Sequence, residues 1–263
     1  VNFPLGKGIV LSTGHLTNLP GPKILPDYIG DGNNPSWSSD NDMNAIVGSS
    51  NFTNASSLQF EFTSQKTDFK LDYVFASEEY GQRQCNTLSD VVVILLTDMS
   101  TGLPVNIAST PSNQLISPIN IRRNTFNTSC SDANANLFDT YYGGTNASTS
   151  PINMFGHTVA MTAQATIQTG HLYKLKIIIA DRLDYQFDSA IFIKEFSPIN
   201  QQSTFLGSDL TFCEGTAHTI NTGFDPSQYS FIWRKNSQLD SNTSSSYSIP
   251  STLANGTNIY QVF

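Results

Sequence analysis

Apolar residues in this chain recur with the period of strands, and a helical period is nearly absent. The runs "SLQFEFT", "FKLDYVFAS", "VVVILLT", "HTVAMTAQATI", "LYKLKIIIAD" and "SAIFIKEF" are short, rich in β-branched and aromatic residues, and bounded by Gly, Pro, Asn and Asp. In "LQFEF" and "FKLDYVF" apolar and polar residues alternate, as in antiparallel strands with one face in a core. "VVVILL" and "KIIIA" are unbroken, as in strands covered on both faces. The pattern predicts an all-β chain: a jelly-roll-like β-sandwich over 1–198. The stretch "SPINQQST" reads as a linker, and residues 199–263 read as that linker plus an incomplete immunoglobulin-like sandwich. In this last part "LGSDLTFCEG", "YSFIWRKN", "SSYSIP" and "NIYQVF" are shorter strands, and Trp233 follows Cys213 as a buried tryptophan would.

Composition narrows the class. Of 263 residues only 13% are charged, about half the usual share. Asn, Ser and Thr carry the polarity instead, which suits a secreted β-rich protein. A net charge of −8 leaves no basic stripe for nucleic acid. No run approaches the roughly 18 apolar residues of a membrane helix, so membrane insertion is not expected. The chain opens on a strand-like pattern without a signal peptide and stops in mid-strand at "IYQVF", as a trimmed piece of a longer protein would.

Three cysteines, Cys85, Cys130 and Cys213, form no CxxC pair and no Cys/His cluster, which argues against zinc. Cys85 and Cys130 both sit in polar loop-like sequence and are expected to bridge each other. Cys213 is expected to pair with a cysteine beyond Phe263. Sequons at Asn51, Asn54, Asn127, Asn146, Asn242 and Asn255 fit exposed loops.

The candidate chemistry lies in three acidic groups at strand-to-loop junctions: Asp40 and Asp42 in "WSSDNDMNAI"; Glu78, Glu79 and Asp90 in "VFASEEYGQRQCNTLSD"; and Asp181, Asp184 and Asp188 in "IIIADRLDYQFDSAIFI". Carboxylates beside buried sequence must be paired, hydrogen-bonded or metal-bound. Oxygen ligands without His or Cys select Ca²⁺, although no EF-hand pattern is present. Solvated turn carboxylates, with Arg83 or Arg182 beside them, are the simpler reading. A glycosidase pair is disfavoured, because Glu78 and Glu79 on an extended strand point to opposite faces. No G-x-S-x-G or H-E-x-x-H occurs, and His15, His157, His171 and His218 read as surface or strand-end residues. No enzyme is expected. Tyr141, Tyr142 and Trp37 are candidates for stacking on sugar rings, and equally for the core.

Taken together, "GIVLSTGHLTNLPGP", "SDNDMNAI", "LQFEF", "YVFASEEYGQ", "SDVVVILLTD" and "IADRLDYQFDSAIFI" resemble the choice-of-anchor L domain over about residues 3–196, in order. The resemblance implies an extracellular module, in a long surface protein that continues into Ig-like or PKD-like repeats and ends in a sorting signal, often for type IX secretion. It implies cell-surface glycans or proteins as partners, and it raises the expectation of Ca²⁺ at Asp40, Asp42, Glu78, Glu79, Asp90 and Asp188, with Asp181 and Asp184 next. The segment that normally precedes "FP…GIVLSTG" is missing. A first strand supplied by another chain would make the protein a fibre subunit assembled by strand addition. Adhesion, surface colonisation or gliding is the preferred role, the fibre subunit the alternative, and a carbohydrate-active enzyme the third.

Overall fold

The computed structural model describes residues 3–26, 38–64, 66–87, 89–183, 185–195, 206, 210–211, 213, 215–227, 229–251 and 256–262. The chain divides into two compact units, Val1–Asn200 and Gln201–Phe263. The expected linker, 197–204, lies outside the described residues, as do Asp184, Trp37 and Asn255.

The first unit is an antiparallel β-sandwich. Its strands are β1 (Gly8–Ser12), β2 (Phe52–Thr63), β3 (Asp68–Ser77), β4 (Val91–Asp98), β5 (Pro104–Asn106), β6 (Phe138–Tyr141), β7 (Gly156–Thr158), β8 (Met161–Thr166), β9 (Leu172–Arg182) and β10 (Ser189–Lys194). One sheet runs β1-β10-β3-β7-β6, with β8 also paired to β3; the other runs β2-β9-β4-β5. In the first sheet β1 lies on β10 with Gly8 opposite Lys194 and Ser12 opposite Ala190.

Alternate residues of the two sheets meet in one core: Leu71, Tyr73 and Phe75 of β3, Val92 and Ile94 of β4, Ile177 and Ile179 of β9, and Ile191 of β10. Burial of each such side chain is worth about 1.5–3 kcal/mol. The unbroken apolar runs are explained by what covers the outer faces. A short helix α1 (Asn41–Val47) sets Met43 against Phe52, Val91, Val93, Leu95 and Ile178 outside one sheet. Leu19, Tyr142, Ile152 and Met154 cover Ala76 and Ala190 outside the other.

This second cover is a pairing of two segments far apart in sequence. Gly21 donates to the Pro151 carbonyl at 3.1 Å, Lys23 to that of Ala147 at 3.1 Å, and Asn153 to that of Leu19 at 2.8 Å. The backbones run so close that a Cβ on Gly21 would lie 2.0 Å from the Ser150 oxygen, so only glycine fits there.

The second unit has β11 (His218–Asn221), β12 (Trp233–Lys235), β13 (Gln238–Leu239), β14 (Ser246–Ile249) and β15 (Tyr260–Val262). They form two small antiparallel sheets, β11-β14 and β13-β12-β15. Trp233 is fully buried there, its indole N–H donating to the Ser244 carbonyl at 2.8 Å and its ring 5.1 Å from that of Tyr247. Cys213 is exposed and free.

Candidate functional site: a buried polar junction

The ends of β3, β4, β9 and β10 come together, and here the acidic residues collect. Glu78 and Glu79 do not stand on an extended strand: β3 stops at Ser77 and both belong to the turn that follows. The two still take separate partners, because they serve different strands. The Glu78 N–H donates to the Asp188 carbonyl at 3.0 Å, continuing the register that sets Ser77 opposite Ser189. The turn is closed by the Arg83 N–H to Glu79 carbonyl bond at 3.1 Å and passes through Gly81 at φ 81°, a left-handed conformation that glycine adopts without strain. Asn127 Nδ2 donates to the Gly81 carbonyl at 2.9 Å, and Gln84 Nε2 to that of Arg123 at 2.8 Å. Cys85 and Cys130 are disulfide-bonded with Cα atoms 5.6 Å apart. Closing the 45-residue separation between them is worth about 4 kcal/mol on the chain-entropy account.

Five carboxylates at this junction, Glu78, Glu79, Asp90, Asp181 and Asp188, are at most 2% exposed. They are not the solvated turn acids of the simpler sequence reading. Donors come from neighbouring strand ends. Glu79 Oε2 accepts from Ser89 Oγ at 3.1 Å and from the Asp90 N–H at 3.0 Å. Asp90 Oδ1 accepts from the Arg182 N–H at 3.3 Å, and Oδ2 lies 2.6 Å from Ser189 Oγ, which is itself 2.9 Å from Ser77 Oγ. The Ser189 N–H donates to Thr13 Oγ1 at 2.9 Å, which brings in the chain just after β1. Asp181 Oδ2 accepts from Asn54 Nδ2 at 2.8 Å. Asn54 sits at φ 49° where the β2–β9 register shifts, a bulge that re-aims its side chain inward. Its amide is buried and engaged, so this sequon is no surface acceptor for a glycan. Arg83 and Arg182 lie over aromatic rings, 4.7 Å from Phe187 and 6.0 Å from Phe52.

Glu78 Oε1 takes a side chain that no motif or periodicity marks out. Lys23 Nζ is 2.9 Å away, and both side chains are wholly buried. The ammonium also lies 4.3 Å from the centre of the Phe155 ring and 3.5 Å from Asn153 Oδ1. The Asn153 amide is fixed from both ends: Oδ1 accepts from the Ile24 N–H at 3.0 Å, and Nδ2 donates to the Asn18 carbonyl at 3.2 Å.

Asp40 and Asp42 stand apart from this junction. Asp40 is not in a loop: it caps α1, accepting from the N–H groups of Asp42 and Met43 at 2.9 and 3.3 Å. Both carboxylates grip Lys176 of β9, at 2.8 and 2.7 Å. Burial pulls the Lys176 pKa down, but the hydrogen bonds its ammonium donates to Asp40 and Asp42 hold it above its ordinary value. The eight acids therefore do not form one set. Two hold Lys176, five meet at the junction, and Asp184 lies outside the described residues. Among the described residues no three His, Cys, Asp or Glu side chains are grouped to hold a metal ion.

Tyr142 is core, not a sugar platform, and Tyr141 is half-buried, stacked on Phe126 at 4.4 Å. His157 is likewise no surface residue. Its Nδ1 donates to the Thr158 carbonyl at 2.8 Å, which leaves Nε2 to accept from the Tyr142 hydroxyl at 2.9 Å. Burial lowers the His157 pKa, with the Thr158 bond and Asp139 pulling the other way, and burial pushes the Tyr142 phenol up to about 12. A histidine lowered in the fold is bound by fewer protons there than in the unfolded chain. Its contribution is thus complete above the unfolded value of about 6.5 and is lost as pH falls from there through the lowered value of the fold. The melting temperature is expected to fall below about pH 6.5, and less steeply in His157→Gln; equal slopes for the two proteins would place the acid sensitivity elsewhere.

A family model described as the Choice-of-anchor L domain matches residues 1–198. No curated protein and no solved structure matches the chain. No helix among the described residues is long and apolar enough to cross a membrane.

Proposed function

The chain belongs to the choice-of-anchor L family, a family of secreted and cell-surface proteins, and from that premise we propose a non-catalytic, adhesin-like display module. In this reading the first unit presents a binding face to cell-surface glycans or proteins, and the second begins a row of Ig-like repeats. Adhesion, colonisation or gliding is the role of the whole.

The observation that carries the reading is the employment of the acids. Catalytic carboxylates must meet a substrate, whereas the five at the junction are buried, with Glu78 on Lys23, Glu79 on Ser89, Asp90 on Ser189 and Asp181 on Asn54. The test is binding of the purified chain to a glycan array and to immobilised matrix proteins. Saturable binding is expected; hydrolysis of an arrayed glycan would move the chain to the enzyme class.

A second reading, the fibre subunit, draws on β1. Among the described residues it pairs with β10 alone and forms the edge of its sheet, with Ile9 51% exposed. An open edge accepts a further strand. Ordered multimers at micromolar concentration, with no glycan or protein bound, would favour it.

Ca²⁺, which takes six to eight oxygens around one point, would have to displace Lys23 from Glu78, Lys176 from Asp42, and a serine hydroxyl and a backbone N–H from Glu79. EDTA is expected to leave the melting temperature unchanged. A fall on chelation, reversed by Ca²⁺, would restore the cation reading, with Asp181, Asp184 and Asp188 as the residues to substitute first.

A further inference from the structure

Lys23, Glu78 and Asn153 form a group at the edge of the acidic junction, sharing Glu78 with it, and the display role does not use it. Three distant segments bring a primary amine, a carboxylate and a carboxamide together. Lys23 Nζ lies 2.9 Å from Glu78 Oε1 and 3.5 Å from Asn153 Oδ1. Water is excluded, since both charged side chains are wholly buried and the Phe155 ring closes one side at 4.3 Å. A salt bridge alone accounts for Lys23 and Glu78. It does not account for a carboxamide clamped against the amine by two backbone bonds, with its oxygen on the Ile24 N–H and its nitrogen on the Asn18 carbonyl.

We propose that Lys23 and Asn153 join in an intramolecular isopeptide bond, with Glu78 as the proton carrier. The Lys23 ammonium passes a proton to Glu78 along their hydrogen bond, which uncovers the amine lone pair. The amine attacks Asn153 Cγ, forming the new C–N bond, while negative charge grows on Oδ1. That oxygen already accepts from the Ile24 N–H, a fixed dipole aimed where the charge develops. Glu78 returns the proton to Nδ2, the Cγ–Nδ2 bond breaks, and the departing ammonia takes the second proton from the Lys23 nitrogen and leaves as ammonium. The balance closes: Lys–NH₃⁺ and Asn–CONH₂ become Lys–NH–CO–Asn and one ammonium ion, with no oxidant, metal or external reactant. Proximity in a fixed, dry geometry supplies the acceleration. The bond would link residues 130 apart in sequence and fasten the segment after β1 to the segment before β7.

The proposal rests on this geometry and not on the display reading, so a failure of glycan binding leaves it standing. The test is the mass of the intact full-length chain after reduction of its disulfide. The expected mass is lower than that of the sequence by one ammonia, and trypsin should yield a branched peptide in which 8–66 is joined to 124–174. The full sequence mass in folded protein overturns the proposal. So does ammonia loss without the branched peptide, which would mark a succinimide. Asn153→Ala should keep its full mass, whereas Asn153→Asp should lose water in place of ammonia. Glu78→Gln, confirmed as folded by its melting transition, should crosslink at least about a hundredfold more slowly; an unchanged rate removes Glu78 from the mechanism. Should that variant not fold, Glu78→Asp takes its place, and the wild-type mass still decides the bond.

Discussion

Glu79→Ala is expected to destabilise the first unit by about 3–5 kcal/mol, a drop of roughly 10 °C in melting temperature. The carboxylate accepts from Ser89 Oγ and from the Asp90 N–H, both in buried surroundings. Alanine strands both donors, and each hydrogen bond to a charged acceptor is worth about 1.5–3 kcal/mol. The effect should spread, because Asp90 in turn accepts from Arg182 and Ser189. Glu79→Gln keeps an acceptor oxygen and should lose only about 1 kcal/mol. Urea unfolding of the three proteins, read by circular dichroism, separates the cases. If alanine and glutamine cost the same, the carboxylate charge, and not the pair of stranded donors, governs the junction.

Trp233→Ala should have an effect of similar size in free energy and a larger one in outcome. Truncating a buried tryptophan costs about 3–5 kcal/mol. The unit that holds it is Gln201–Phe263, and a domain of that size commands only about 3–5 kcal/mol in total. Its described core is Phe231, Trp233 and Ile249, so little remains once the indole is gone. The second unit should be unfolded at 25 °C and cut by protease at low concentration, while the first keeps its own melting transition. A protease-resistant second unit in the variant would mean that Trp233 is not its keystone. Trp233→Phe, which retains ring packing against Tyr247 but loses the bond to Ser244, should be intermediate.

The strands were legible because their period and their covering both leave traces. Alternation in "LQFEF" matches the graded exposure of β2, and the unbroken "VVVILL" matches β4, which α1 covers on one side and the core on the other. The helix was not legible as a period, being seven residues long, although its punctuation was there: Asp40 at the start and Gly48, at φ 70°, at the end. The Cys85–Cys130 bridge followed from loop-like context. Of the acids, Glu78, Glu79, Asp90, Asp181 and Asp188 lie at strand ends beside buried sequence, as expected, whereas Asp40 and Asp42 belong to the start of α1. What divides them are serines, an asparagine and backbone N–H groups, which are unremarkable in a chain so rich in Ser and Asn. Lys23 and Asn153 lie in "GPKIL" and "SPINMF", without periodicity or motif. Only the pairing of segments around Gly21 and Ser150 brings them together.

The register of β1 on β10 has a mechanical consequence. Gly8 stands opposite Lys194, so tension entering along the chain before β1 and leaving it after β10 pulls at neighbouring points. The load would peel the two strands apart one pair at a time, the weakest way to load a ladder, instead of shearing all five pairs together. Peeling would run from Gly8 to Ser12 at low force and then meet Thr13, held by Ser189, and the segment 18–24, fastened beside 147–153. Beyond that point the force bears on Lys23 and its partners. A pulling experiment should therefore show an early, soft extension of about five residues at roughly 3.5 Å each, and behind it an arrest whose strength depends on what joins Lys23 to Asn153.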